Sequence, residues 1–212
     1  MKFFTKVLNN AQDFKRHILK TIAKSLNDNL FKDLNKSEKY IKEVVIDAIK
    51  RQPEYNELKA GILRNKFGLA NTGVVDQVLN ALDDMEISIK KPSPSRNEIQ
   101  ASFAINMIKD NFMQVLSSSA ATITTEKGQQ LEWLRWLLLE GNNSVVIGYR
   151  YLPINTPYSR TGQGIMAKGQ SAIFRVPPGF TGTVDNNWIT RGVDAALPEI
   201  ETYINRLIQQ SL

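Results

Sequence analysis

Between Leu131 and Leu139 the chain holds five leucines and two tryptophans, interrupted only by Glu132 and Arg135. At 3.6 residues per turn, Leu131, Trp133, Leu134, Trp136, Leu137, Leu138 and Leu139 predict a helix that is apolar on most sides, with Gly141 placed to close it as a C-cap. Such a helix has to be covered, either by the rest of the fold or by a subunit contact. The chain has the material: 212 residues, 42% of them hydrophobic, suit one large domain or two small ones.

The first third reads as helices. Phe14, Ile18, Ile22 and Leu26 recur every four residues, with Leu19 and Ala23 beside them, as an apolar stripe flanked by Lys15, Arg16, Lys20 and Lys24. Ser37 is placed to cap a second helix, buried along Tyr40, Ile41, Val44, Val45, Ala48 and Ile49, which must stop near Gln52 because Pro53 follows. Pro53 suits the first turn of a short helix through Leu58, and Val75, Val78, Leu79 and Leu82 mark another after Asn71-Thr72-Gly73.

At Glu86-Ile87-Ser88-Ile89-Lys90 the period changes from helical to alternating, which predicts a strand. Lys91-Pro92-Ser93-Pro94-Ser95 then breaks regular structure. It divides an N-terminal helical region, 1–91, from an α+β region, 92–212. With a strand on either side it reads as an exposed loop sooner than as a linker, which also allows one continuous domain. Ile99, Ala101, Phe103 and Ile105 alternate with polar residues as a half-buried strand; 121–125, 144–151 and 172–176 are further strands, the last stopped by Pro177-Pro178. From Trp188 to the end the chain is amphipathic, with Val193, Leu197, Ile200, Ile204, Leu207 and Ile208 on one side and a kink or restart at Pro198. The expected class is α+β, with helices first and last around a mainly antiparallel sheet.

Chemistry is constrained by what the chain lacks. It has no Cys and one His, His17, in a lysine-rich amphipathic segment. That excludes a thiolate nucleophile or metal site, disfavours zinc, and leaves a Ser–His–acid triad only His17, with no G-x-S-x-G. Walker A, G-x-G-x-x-G and EF-hand loops are absent too. We therefore expect no catalysis, no cofactor and no metal. Runs such as Trp136–Leu139 and Val145–Ile147 fall far short of the roughly 20 residues that span a bilayer. The start, Met1 to Leu8, meets Asn9-Asn10 before an apolar core can develop, so neither a signal peptide nor a membrane partner is expected.

The net charge is +6, and residues 1–50 hold eleven Lys/Arg against six Asp/Glu, while the remainder is nearly balanced. Lys15, Arg16, Lys20 and Lys24 are thus either a solvated helix face or a contact for phosphates or an acidic partner, passing DNA included, without sequence specificity. The alternative function this leaves open is nucleic-acid binding by the basic N-terminal helices, although no recognisable reader motif accompanies them.

Two segments stand out near the C-terminus. Tyr158-Ser159-Arg160-Thr161-Gly162-Gln163-Gly164-Ile165-Met166 invites comparison with a phosphate loop, but no helix start with Lys follows, so a hairpin or extended arm is the better reading. Arg175-Val176-Pro177-Pro178-Gly179-Phe180-Thr181-Gly182-Thr183 runs into Asp185-Asn186-Asn187-Trp188-Ile189-Thr190-Arg191, where Asp185 or an adjacent Asn is a natural N-cap and Trp188 an apolar anchor. Asp185 and Arg191 lack a second acid or base nearby in sequence and are not read as catalytic.

These two segments, with Leu131-Glu132-Trp133-Leu134-Arg135-Trp136-Leu137-Leu138-Leu139-Glu140-Gly141, resemble neck or tail-completion (head–tail connector) proteins of myovirus-type tailed bacteriophages. The likeness covers the C-terminal half well and the N-terminal helices loosely; the diproline loop and the long helical start depart from the shorter connectors. It implies an α+β virion protein, assembled in the host cytoplasm, that forms a homo-oligomeric ring between portal-side and tail-side proteins and needs no cofactor. On that reading the loop at 153–171 and the termini reach to neighbours, and Arg160, Arg175, Asp185, Trp188 and Arg191 are the candidate subunit-interface residues.

Overall fold

The computed structural model describes residues 11–30, 34–82, 86–95, 98–106, 109–124, 128–141 and 143–211. The fold is α+β, as the periodicity predicts. Among the described residues, the single sheet expected from the sequence is instead three separate two-stranded antiparallel ribbons. The chain divides into two compact units, one of Met1–Ile41, Glu86–Asn106 and Pro198–Leu212, the other of Lys42–Met85 and Met107–Leu197. A cut at 91/92 does not match this division, because it would fall inside a strand.

In the first unit, helix α1 (Ala11–Leu30) lies against strand β1 (Glu86–Pro94), which pairs with β2 (Ile99–Asn106). Asn27 Nδ2 donates to the Pro92 carbonyl at 3.1 Å. The stripe on α1 closes only toward its C-terminal end: Ala23 and Leu26 are buried, whereas Phe14 and Ile18 are 59% and 42% exposed. Pro92 and Pro94 do not end β1, as the sequence suggests they should. A register shift between Lys90 and Ser93 absorbs the first, and in a two-stranded ribbon each strand has one side that needs no donor. Ser95 N–H donates to the Glu98 carbonyl at 2.8 Å.

Helix α2 (Leu34–Lys50) begins before Ser37, so Ser37 is not its cap. Its buried hydroxyl instead meets the Tyr203 hydroxyl at 3.0 Å, and Tyr203 stacks on Tyr40 with ring centroids 4.3 Å apart. Partial burial and the Glu199 carboxylate that Tyr40 donates to raise the Tyr40 pKa. The readings of residues 1–10, of Thr125 and Lys127, and of the side chains of Ala101, Phe103 and Ile105 fall outside what is described.

The second unit forms around α7 (Trp133–Leu138), whose Trp133, Leu134, Leu137 and Leu138 are fully buried. Packed in the same core are side chains of α2, α3 (Pro53–Ala60), α4 (Ile62–Phe67), α5 (Gly73–Ala81) and α6 (Lys109–Leu116), among them Val45, Ile49, Leu58, Leu63, Phe67, Val75, Val78, Leu79 and Val115. Phe67 meets Trp133 and Trp136 with centroids 6.2 Å away in each case, and Trp133 Nε1 donates to the Ala120 carbonyl at 2.8 Å. The short helices α4 and α6 are not marked by the sequence reading, and the strand at 121–125 shrinks to β3 (Ile123–Thr124), paired with β4 (Gln130–Leu131).

Gly141 is not the C-cap of α7, which is Leu139. Its role is contact: Gly141 N–H donates to the Gly182 carbonyl at 3.0 Å. Gly182 itself lies so close to α7 that a Cβ there would sit 2.0 Å from the Leu137 carbonyl oxygen. Close approach, not a turn, is what requires glycine at 182.

Strand β5 (Ser144–Leu152) pairs with β6 (Ile165–Arg175), and α8 (Trp188–Ser211) closes the chain. The strand expected at 172–176 is therefore the end of a longer one, and the loop expected at 153–171 is confined to 153–164. Helix α8 neither stops nor restarts at Pro198. The exposed position lets water take the carbonyl that proline's missing N–H leaves free. Along α8, Ala196 and Ile200 are buried, whereas Leu197 is 40% exposed, contrary to its place on the expected apolar side.

Candidate functional site

Two structures in the second unit carry the candidate residues: the β5–β6 ribbon and the connection that leads from it into α8. The connection is an anchor. After β6, Pro177 and Pro178 end strand pairing, and Pro178–Phe180 makes a single 3-10 turn. Asn187, fully buried, then caps α8: its Oδ1 accepts from Ile189 N–H at 3.0 Å and Thr190 N–H at 3.1 Å. Thr190 Oγ1 accepts from Asn187 N–H at 2.8 Å, the reciprocal half of a capping box. Asn187 Nδ2 also donates to the Thr183 carbonyl at 3.0 Å. Of the cap residues the sequence leaves open, the structure uses Asn187; Asp185 is exposed.

Trp188 is 1% exposed, held within the protomer. Three residues on, Arg191 donates through Nη2 to Glu54 Oε1 and through Nη1 to Asn186 Oδ1 at 2.9 Å. Glu54, from the first turn of α3, has a side chain only 2% exposed, so Arg191 neutralises a buried carboxylate. Trp188 and Arg191 thus brace the fold from inside, while Asp185 stays at the surface. The sequence gives no sign of Glu54, because its partner is 137 positions away.

The ribbon presents the opposite character. Ile147 and Ile173 face each other across β5 and β6, and are 73% and 50% exposed. Next to this pair the ladder breaks: Gly148 has φ +81° and Ser171 φ +57°, and pairing resumes at Tyr149 opposite Lys168. The break inverts the burial phase of β6. Ala172, Phe174 and Val176 turn inward after it, leaving Ile173 and Arg175 outward. Arg175, Arg150 and Lys168 are exposed and make no ion pair among the described residues.

The loop at 153–164 folds on its own protomer. Thr156 N–H donates to the Gly162 carbonyl at 3.0 Å, Asn65 Nδ2 to Gln163 Oε1 at 3.2 Å, and Arg160 Nη2 to the Thr124 carbonyl. Arg160 is therefore tied to the Thr124 carbonyl of its own chain, and Tyr158, 90% exposed, is the side chain the loop presents. Elsewhere, Lys15, Arg16, Lys20 and Lys24 are exposed on α1 together with His17.

The near balance of charge beyond residue 50 conceals a local asymmetry. From Gly141 to Val184 the chain holds Arg150, Arg160, Lys168 and Arg175 and no Asp or Glu. Asp185, Asp194, Glu199 and Glu201 fall in the same C-terminal stretch and hide this acid-free run. Among the described residues no group of His, Cys, Asp and Glu could hold a metal ion, and no helix is long and apolar enough to cross a membrane. Comparison with family models, with curated proteins and with solved structures found no match.

Proposed function

We propose that the chain is a structural subunit of the phage neck or tail-completion type, forming a homo-oligomeric ring that joins head and tail. The observation that carries this reading is the Ile147–Ile173 pair, set side by side on a two-stranded ribbon whose outer edges pair with no other strand among the described residues. Single exposed apolar residues are ordinary, but two large aliphatic side chains directly opposite one another make a contiguous patch that gains from being covered. Unpaired strand edges add main-chain donors and acceptors for a neighbour. The resemblance of the segments around α7, the 158–166 loop and the 175–191 connection to head–tail connectors supplies the kind of assembly.

The test is negative-stain electron microscopy of the purified full chain. Annular particles of one diameter with rotational symmetry are the expected result. A field of small monomeric particles at every concentration would refute the reading.

A further inference from the structure

We infer that the distal half of the β5–β6 ribbon, Tyr149 to Lys168, is an exchangeable arm, which swings out of its own copy and seats on the same residues of a second copy. This inference rests on the assembly reading above and names the segment that joins the copies. The two halves of the ribbon differ in how they are held. At the base, Phe174 and Val176 are 7% and 1% exposed and fix the end of β6 in the core. From Tyr149 to Lys168 every side chain is half-buried or exposed, and the one buried residue, Gly164, has none. A segment that buries so little opens more readily than the core beneath it.

Between the halves lies a hinge. Gly148 alone stands opposite residues 169–172, so the ladder is interrupted on both strands at one level. Gly148 and Ser171 hold φ of +81° and +57°, a region unfavourable for Ser171 because it carries a Cβ. Beyond the hinge the arm has hydrogen bonds of its own. Tyr151 Oη donates to the Gln163 carbonyl at 2.9 Å, and Gly164 N–H donates to Ser159 Oγ at 3.3 Å. The arm can therefore move as a unit.

The seat is defined by the arm that already occupies it. Asn65 Nδ2 donates to Gln163 Oε1 at 3.2 Å and Arg160 Nη2 to the Thr124 carbonyl, while a Cβ on Gly68 would come within 3.3 Å of Arg160 Cδ. A second copy offers an identical seat, so an exchanged arm recovers the contacts it gave up. Ser171 leaves its unfavourable φ when the hinge extends, and each join covers Ile147 and Ile173, exposed beside the hinge. Arm and seat are different surfaces. Each copy can give to one neighbour and receive from another, a contact that closes into a ring when its rotation permits.

The chain has no cysteine, so Asn65→Cys/Gln163→Cys introduces its only thiols, one on the seat and one on the arm. The variant is sized by native mass spectrometry beside wild type, treated with a short bismaleimide, and run on a denaturing gel. We expect covalent ladders extending past the dimer, because position 163 of one copy lies against position 65 of the next. Chains that all run as 24.0 kDa monomers, from an assembly of wild-type size, would show each arm closed on its own copy. That result would overturn the exchange and leave self-assembly standing. A ladder that stops at the dimer would support the exchange and refute the ring. A wild type that is monomeric at every concentration would overturn both. Cross-linked dimers from Gln163→Cys alone would place arm against arm and overturn the seat. Should the cysteine pair fail to assemble, Thr124→Cys/Arg160→Cys puts the thiols on the other tie between arm and seat, with the same outcomes.

Discussion

Trp188 and Asn187 sit together where the connection from β6 becomes α8, and their burial makes them structural first. Trp188→Ala removes a side chain that is 1% exposed and should cost about 3–5 kcal/mol. Its Nε1 has no hydrogen-bond partner among the described residues, so Trp188→Phe, which deletes that donor, should cost clearly less. Equal losses for the two variants in chemical denaturation would contradict this ordering.

Asn187→Ala should cost about 1–2 kcal/mol through the cap alone, and more because the Thr183 carbonyl loses its donor. Asp185→Ala should leave the melting temperature nearly unchanged, since Asp185 caps nothing. Arg191→Ala strands the Glu54 carboxylate in the core, at a cost of about 3–5 kcal/mol, most of which Glu54→Gln should restore in the double variant. A double variant as unstable as Arg191→Ala alone would remove the ion pair from the account.

Sequence periodicity fared well at this level wherever one face decides. The buried positions of α2, α5 and α7 follow directly from it. It could not choose among Asp185, Asn186 and Asn187 as cap, because all three offer the same oxygen and only the fold's close approach to α7 separates them.

Elements are held by a few specific braces as well as by area. Between α3 and α5, Tyr55 donates to Asp76 Oδ1 at 2.8 Å and Lys59 to Asp76 Oδ2 at 2.6 Å. The Lys59 hydrogen bond lowers the Asp76 pKa, with help from Tyr55; burial, reinforced by Asp76, pushes Tyr55 from 10.0 up to about 12. The signs differ. Asp76 contributes fully above its ordinary pKa, and that contribution is lost as pH falls through the depressed value. Tyr55 contributes fully below pH 10, and its share is lost as pH rises toward 12. Denaturation midpoints of wild type and Tyr55→Phe should therefore converge between pH 10 and 12, and a constant gap across that window would contradict the shift.

Most elements were legible from period and punctuation: Pro53 opens α3, Pro177 stops the pairing of β6, and the alternation at 86 and 99 marks β1 and β2. What escaped has physical causes. Proline rules apply to donors that a strand needs, and β1 needs few. The helices α4 and α6 are too short for a period to establish itself. Ser171 and Gly148 invert the phase of the ribbon, so a simple alternation could not place Ile147 and Ile173 together at the surface.

For the whole molecule, two charged surfaces compete for a role: the exposed cations of α1 and the acid-free ribbon. If Lys15, Arg16, Lys20 and Lys24 only solvate their helix, changing all four to Gln should leave assembly intact, with DNA retention at physiological salt weak before and after. A wild type that binds DNA with a steep salt dependence, largely lost in that variant, would favour the nucleic-acid alternative. The central claim, however, is that this chain works by joining copies of itself. Native mass spectrometry of the wild-type protein tests it most directly. The account predicts one dominant species at a fixed whole multiple of 24.0 kDa, unchanged on dilution. A single peak at 24.0 kDa at every concentration would contradict it.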